Sequence, residues 1–195
     1  MKKGMKSLTA MLLMAALLCT AASAATFPDV DANADYAAAI GYVSEIGLMV
    51  GYGDGTFQPD KTVSRAEMAT VLCKMMEEDW DLKQDGSVFS DVPTTHWANG
   101  YVVKAAARGY VAGYGGGKFG PDDTVTYEQA VTMLIKIADG ENEAISREGY
   151  PDGYLRAAEE FGLLKNIEAE KGESFSRADV AMLLFNYYRA SSIFG

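Results

Sequence analysis

The chain has 195 residues, 49% of them hydrophobic, and its 27 acidic and 17 basic side chains give a formal net charge of −10. Such a surface repels nucleic acid and anionic lipid at long range, which argues against both as partners. One histidine and two cysteines provide neither a metal cluster nor a nucleophile with its base, so we expect no enzyme, no metal and no cofactor.

Residues 1–24 have the features of a secretory signal peptide. A basic start, a short apolar run and a small-residue end follow one another: Lys2, Lys3 and Lys6, then residues 8–18, then Ala22-Ser23-Ala24. The apolar run is too short to span a bilayer comfortably, although a retained anchor is the alternative. We therefore expect a mature chain that begins near Ala25, lies outside the membrane, has no membrane span and carries a formal charge of −13. Intact-mass measurement of native material tests this.

The first unit of the mature chain is predicted to be a helix, a glycine-rich connector and a second helix. An extended Phe27-Pro28-Asp29-Val30 leads into a predicted helix over residues 35–46, and Gly47 ends it. After the connector, Ser64 and Glu67 have the spacing of a capping box, which starts the next helix. Its apolar stripe must pack on other helices. Cys73 lies on this stripe and is expected to be a buried hydrophobe rather than a catalytic thiol.

The same order returns 62 residues later. Residues 27–76 and 89–138 share 16 identities in 50 positions, and the glycines, prolines and aromatics of the connector are among them, so the chain contains a repeat. Thr126 and Gln129 are expected to rebuild the capping box, and Trp97 to lie on the apolar face of the first helix of this copy. Tyr127 replaces Arg65, so the positive charge at the helix start is lost.

A third and shorter copy is predicted after residue 149. It opens on Tyr150-Pro151-Asp152, has a helix that closes at Gly162, and starts its last helix with Ser176-Arg177-Ala178-Asp179. Its glycine loop is replaced. Residues 78–88 are polar and rich in turn residues, and we interpret them and residues 139–149 as linkers; Trp80 in the first is expected to pack across the repeat boundary.

These motifs resemble the S-layer homology domain. The resemblance rests on the F-x-D-V opening at Phe27, the G-Y-G-D-G-T-F-x-P loop at residues 51–59, and the helix start Ser64-Arg65-Ala66-Glu67, which is similar to the family's T-R-A-E. It implies an all-α fold in which three helix-loop-helix repeats form a pseudo-threefold unit. The predicted boundaries are signal peptide 1–24, repeats 25–77, 89–138 and 150–190, linkers 78–88 and 139–149, and tail 191–195.

The resemblance also implies a function and a site. S-layer homology domains bind secondary cell-wall polymers non-covalently, often polymers with pyruvate ketals on N-acetylmannosamine, in grooves between repeats that use this arginine. We therefore expect a cell-wall anchor, secreted to the cell-wall or S-layer surface, that binds a polysaccharide linked to peptidoglycan. The candidate ligand-binding residues are Arg65, Arg177, Glu67, Gly51, Gly113, Trp97, Asp29 and Asp91.

Residue chemistry alone allows this site and a simpler alternative. A guanidinium, the free N–H groups of a helix start and nearby aromatic rings suit an acidic sugar, so Arg65→Ala or Arg177→Ala is expected to weaken binding without changing stability, and Tyr127→Phe to do little. In the simpler reading both arginines are solvated first-turn residues and the aromatics are core.

Other functions remain weaker alternatives. The loop at residues 114–118 lacks the glycine and hydroxyl positions of a phosphate-binding loop, and residues 54–60 lack the ligand spacing of a calcium loop. The second hypothesis is a structural envelope protein that acts through protein partners. Since only residues 189–195 follow Tyr188, we expect the anchor either to act alone or to tether another protein.

Overall fold

A computed structural model describes residues 27–76, 86–138 and 140–194 of the chain. The predicted signal peptide, most of the first predicted linker and Trp80 lie outside these residues. The described part contains helices and no named strand, which confirms the all-α prediction. The helices are α1 (Ala37–Glu45), α2 (Arg65–Met75), α3 (Asn99–Ala107), α4 (Tyr127–Ile137), α5 (Glu141–Arg147), α6 (Asp152–Glu160) and α7 (Arg177–Phe194).

Each helix-loop-helix unit has a first and a second helix, and the segments that precede the second helices join the units in a ring. The segments that precede α2, α4 and α7 meet at the centre, where each donates one backbone hydrogen bond to the next. The Val63 N–H donates to Phe175 O at 3.0 Å, the Phe175 N–H to Val125 O at 3.0 Å, and the Val125 N–H to Val63 O at 2.9 Å. This closed circuit is the pseudo-threefold arrangement that the repeated sequence predicts.

Each first helix packs on the second helix of another unit. Helix α1 packs on α7, α3 on α2, and α6 on α4. The apolar stripe of one unit is therefore buried by its neighbour, and the core includes the fully buried Phe57, Phe119, Phe175, Leu72 and Leu134. A single unit could not bury its own stripe in this arrangement, as expected for tandem repeats.

The helix starts differ from one another. Ser64 and Glu67 form the expected capping box on α2, and Ser176 and Asp179 bond reciprocally at the start of α7. The capping box predicted for Thr126 and Gln129 is wrong: Thr126 makes no cap hydrogen bond, and its buried hydroxyl has no partner within the described residues. Gln129 instead accepts a hydrogen bond from Arg65, because the arginine reaches across to α4.

Two further expectations differ from the structure. The second predicted linker contains α5, whose Ala144 is fully buried, because this short helix packs on α6. Trp97, which was predicted on the apolar face, is 60% exposed since it precedes α3 and points its ring toward its neighbour His96.

Candidate functional site

The grooves between units are built on the two glycine loops, residues 51–57 and 113–119. Beneath the first loop, the Asp29 carboxylate accepts hydrogen bonds from the N–H groups of Phe57 and Gln58 at 2.9 and 2.7 Å. Asp91 repeats this arrangement under the second loop. Desolvation raises the pKa of both carboxyl groups, but the backbone donors outweigh it, so both pKa values lie below their usual range. Both aspartates thus fix loop backbone.

Gly51 and Gly113 occupy the points where the loops approach an aromatic ring. A Cβ atom at Gly51 would lie 2.5 Å from Phe27 Cε1, and one at Gly113 would lie 2.6 Å from Phe89 Cε1. Only glycine fits there without moving the ring or the loop. The repeated glycines therefore allow the F-x-D-V segment to pack against the loop that follows it.

The Arg65 side chain fills the groove between α2 and the second glycine loop. Its Nε donates to Phe119 O at 2.9 Å, Nη2 to Ala112 O at 2.7 Å, and Nη1 to Gln129 Oε1 at 3.0 Å. The guanidinium lies 4.4 Å from the centre of the Tyr114 ring. The residue is 3% exposed, and burial lowers its pKa. Arg65 therefore joins the first unit to the second.

The backbone N–H groups at the helix starts are already bonded. The Arg65 N–H donates to Asp123 O at 2.9 Å, and the Arg177 N–H donates to Lys61 O at 2.8 Å. The expectation that these groups are free for an anion is wrong, because the incoming loop supplies a carbonyl to each. The Glu67 carboxylate is similarly used, since it accepts the Ser64 N–H at 2.8 Å.

Arg177 holds the first glycine loop in the same way, but its side chain is more exposed than that of Arg65. Its Nε donates to Phe57 O and its Nη2 to Val50 O, both at 2.8 Å. Its Nη1 donates to no residue in the described part of the chain, and the side chain is only half-buried. The guanidinium lies 4.8 Å from the centre of the Tyr52 ring. One edge of this guanidinium remains able to bind an anion.

Lys61 places a second cation beside Arg177. Its Nζ donates to the Tyr52 hydroxyl at 2.9 Å and lies 4.6 Å from the centre of the same ring. This hydrogen bond raises the pKa of Lys61. The Tyr52 ring is therefore in contact with two cations, Lys61 and Arg177. Val50, at the rim of the groove, is 58% exposed. Cations, a ring and an apolar rim can bind a carboxylate attached to a sugar.

The third groove has no arginine at its helix start. Tyr127 takes the equivalent position on α4, is nearly buried, and packs on Phe175 with ring centres 5.5 Å apart. The loop it faces is shorter: Gly162 precedes Ser176 by fourteen residues, whereas Gly47 precedes Ser64 by seventeen. The groove is consequently built from different side chains.

The structure brings together some of the predicted site residues and separates others. Arg177 meets the loop of Gly51, and Arg65 meets the loop of Gly113, with Asp29 and Asp91 beneath the loops. Glu67 belongs to the cap of α2. Trp97 makes no ring contact with either arginine in the described part of the chain.

Sequence reasoning missed Tyr52, Lys61 and Tyr114. The tyrosines were detectable, because Tyr52 and Tyr114 are identical at the repeat spacing of 62. Lys61 was not, since the second copy has Asp123 at that position. Its importance depends on the ring between it and Arg177, which only the fold reveals.

The described ranges contain neither a metal-binding cluster nor a membrane-spanning helix. No group of three or more His, Cys, Asp or Glu residues there is placed to hold a metal ion. None of the helices in those ranges combines the length and the apolar character that crossing a membrane requires.

Comparison with protein families explains the repeated architecture. The model of the S-layer homology domain matches residues 26–69 and 88–131. The chain contains two S-layer homology domains. Their matched ranges cover Phe27, Phe89, both glycine loops and the starts of α2 and α4, so the resemblance expected from the sequence is confirmed for these two repeats.

Three relatives indicate the wider setting. The chain is 32% identical over 191 residues to a cell surface protein of Thermoanaerobacter kivui, and 30% identical over 194 residues to the middle cell wall protein of Brevibacillus brevis. These alignments cover 93% and 97% of this chain. A cellulosome-anchoring protein of Acetivibrio thermocellus is 37% identical over 114 residues, 57% of this chain. The chain spans between 18% and 26% of the length of these relatives.

Proposed function

We propose that the chain anchors non-covalently to an acidic polymer of the bacterial cell wall, and that the groove at Arg177 is its principal contact. The observation that carries the proposal is the pair of cations on Tyr52: Lys61 Nζ and the Arg177 guanidinium both lie within 5 Å of the ring centre. A carboxylate can bind between them while a sugar ring lies against the half-buried Tyr52 and the exposed Val50.

Local charge explains how an acidic protein could hold an acidic polymer. The net charge of −10 gives no long-range attraction, so affinity depends on short contacts that combine charge and hydrogen bonding. The Arg177 groove has two such donors. The Arg65 groove has one, whose three donor groups are used within the protein, and Asp123 stands where the first loop has Lys61.

The comparisons support this reading at a general level. Two S-layer homology domains, and relatives named for the cell surface, the cell wall and cellulosome anchoring, agree with a place at the cell-wall surface. Within the proposal, helices α6 and α7 form a divergent third repeat, because Phe175 before α7 completes the central circuit of hydrogen bonds and α6 packs on α4. The polymer we expect is a secondary cell-wall polysaccharide with pyruvate ketals on N-acetylmannosamine.

Calorimetry with purified, pyruvylated cell-wall polymer tests the proposal. Arg177→Gln and Lys61→Gln are each expected to weaken binding about tenfold or more, because each removes a charged hydrogen-bond donor worth roughly 1.5–3 kcal/mol. Lys74→Gln removes an exposed cation from the other end of α2 and serves as the matched control. Polymer from which the pyruvate has been hydrolysed is expected to bind weakly to every form.

Unchanged affinity in both Arg177→Gln and Lys61→Gln would contradict the proposal. Loss of affinity in the Lys74→Gln control would show that general charge, rather than this groove, determines binding. Moderate salt is expected to leave binding largely intact, since it screens the overall repulsion together with the local attraction.

A second candidate function is a structural role through protein partners. The observation in its favour is that two large apolar side chains in the segment before α3 are exposed, Trp97 to 60% and Val88 to 57%. Sedimentation of the chain with Trp97→Ser distinguishes this role: it predicts self-association that the substitution abolishes, while polymer binding at Arg177 would be unaffected.

A further inference from the structure

The third groove contains a cavity of about 550 Å³. It lies between the start of α4, helix α6 and the shortened loop that follows α6. In the other two grooves a guanidinium reaches the facing loop and bonds to its carbonyls. Here Tyr127 has no such reach, and the space remains open. The residues that matter for its chemistry are Tyr127, Leu155, Leu164, Ile167, Glu159 and Lys165.

The floor of the cavity is mostly aliphatic. Leu155, Leu164 and Ile167 are each half-buried, so each shows part of its side chain to the cavity. Tyr127 contributes a ring that is 8% exposed and already packed on Phe175. Little aromatic surface is left for a sugar ring to stack on, whereas an aliphatic side chain would find apolar contacts on several sides.

Two charged side chains of opposite sign, Lys165 and Glu159, lie at the rim of the cavity. In the described part of the chain, neither the Lys165 ammonium nor the Glu159 carboxylate has a hydrogen bond or ion pair, and no ion pair joins them to each other. The other two charges that line the cavity, Arg156 and Asp152, are already paired: Arg156 lies 3.1 Å from Glu148, and Asp152 lies 2.8 Å from Lys171.

Glu159 and Lys165 line the cavity from two elements, since Glu159 lies on α6 and Lys165 on the loop that follows it. Burial raises the pKa of the Tyr127 hydroxyl, and the charge of Glu159 raises it further. The two charges belong to different elements, and the aliphatic floor lies within the same cavity.

We propose that this cavity binds a small zwitterion of amino-acid type, namely a short peptide with free ends and an aliphatic side chain. Lys165 pairs with its carboxylate, Glu159 with its ammonium, and the side chain packs on Leu155, Leu164 and Ile167. A neutral sugar leaves both charges unpaired, and an acidic sugar pairs with Lys165 alone and leaves Glu159 unpaired. The volume falls within the range of about 300–1,000 Å³ typical of ligand pockets.

A nuclear magnetic resonance titration of the full chain with the dipeptide alanyl-leucine tests the proposal. Saturable shifts are expected in the amide signals of Leu164, Lys165 and Ile167. Acetylating the amino end or amidating the carboxyl end of the dipeptide is expected to weaken binding about two- to fivefold, the effect of one exposed charge pair. Lys165→Gln and Glu159→Gln should each weaken the unmodified dipeptide by a similar factor. Lys74→Gln and Glu45→Gln, which remove the same charges elsewhere, should not.

Three results would overturn the inference: no saturable shift at millimolar dipeptide, equal binding of the blocked and free dipeptides, or tighter binding of glucuronic acid at the same signals. The four substitutions lie at exposed positions, so loss of folding does not confuse the outcome. The proposal is independent of the wall polymer, because Arg177→Gln is expected to leave dipeptide binding unchanged.

Discussion

The Arg65 and Arg177 grooves are made from the same parts, yet one is closed and the other is partly open. In both, the guanidinium bonds to a phenylalanine carbonyl and to the carbonyl just before the loop glycine. The remaining nitrogen of Arg65, Nη1, donates to Gln129, whereas Nη1 of Arg177 has no acceptor in the described ranges. The loop residue beside the guanidinium is Asp123 in one groove and Lys61 in the other.

This difference shows what the repeated arginine does first. Its bonds to the neighbouring loop hold two units together, and ligand contact is possible only where a donor is left over. The helix start supplies the position of the arginine, but the residues next to it decide whether the groove can take an anion. The arginine of the Arg65 groove therefore has a structural role, whereas the arginine of the Arg177 groove also keeps a donor that can bind an anion.

The largest expected effect is on stability at Arg65. Arg65→Ala leaves two backbone carbonyls and the Gln129 amide oxygen without their donor in a buried site, so we expect the free energy of unfolding to fall by about 3 kcal/mol or more. Arg177→Ala, which loses two partly exposed bonds, should cost about 1 kcal/mol. Urea unfolding followed by circular dichroism measures both.

Arg156→Ala is the matched control, since it removes an exposed arginine with a surface ion pair and should change the unfolding free energy by less than about 1 kcal/mol. Equal losses at Arg65 and Arg177 would break the comparison. The sequence alone suggested unchanged melting for both arginine variants; the burial of Arg65 reverses that expectation for one of them.

The second prediction tests whether the two loops are alike. Gly51→Ala and Gly113→Ala each place a Cβ against a phenylalanine ring and a loop carbonyl, so both should lower the free energy of unfolding by about 1–3 kcal/mol. Gly53→Ala is the matched control, because its Cβ meets nothing within 4 Å and should cost little. Thermal unfolding compares the three. A large cost for only one loop glycine would mean that the loops are not equivalent.

The third prediction concerns acid, where the two grooves should again agree. The pKa values of Asp29 and Asp91 are lowered in the folded chain, so each stabilises the fold above its unfolded pKa, and this contribution is lost as the pH falls through the folded pKa. The double variant Asp29→Asn/Asp91→Asn should therefore lose less stability than the parent chain as the pH falls from about 5 to about 2. Urea unfolding across this range measures it. Parallel pH profiles would contradict the assignment.

The sequence predicted the helices and loops better than the contacts between them. The offset of 62 located the loops, and the Ser64 and Glu67 spacing fixed a helix start, because these are local features. The sequence could not show that the Arg65 N–H donates to Asp123 O. Nor could it show that Gln129 accepts a hydrogen bond from Arg65 instead of capping α4. Both contacts join different units. Likewise, helix α5 is too short for its polar sequence to reveal, and it forms because α6 covers Ala144.

The smallest effect is expected in the third groove, where the arginine has become Tyr127. Its hydroxyl donates to no described residue, and its ring is fixed by packing on Phe175. Tyr127→Phe keeps that packing, so the unfolding free energy should change by less than about 0.5 kcal/mol and the affinity for wall polymer should stay the same. Urea unfolding and calorimetry with the polymer check the two quantities. Tyr127→Ala, which removes the ring, is the contrasting variant and should cost about 3 kcal/mol or more. A marked loss of polymer affinity in Tyr127→Phe would show that this groove binds the polymer through the tyrosine hydroxyl, and that an arginine is not what makes a groove competent.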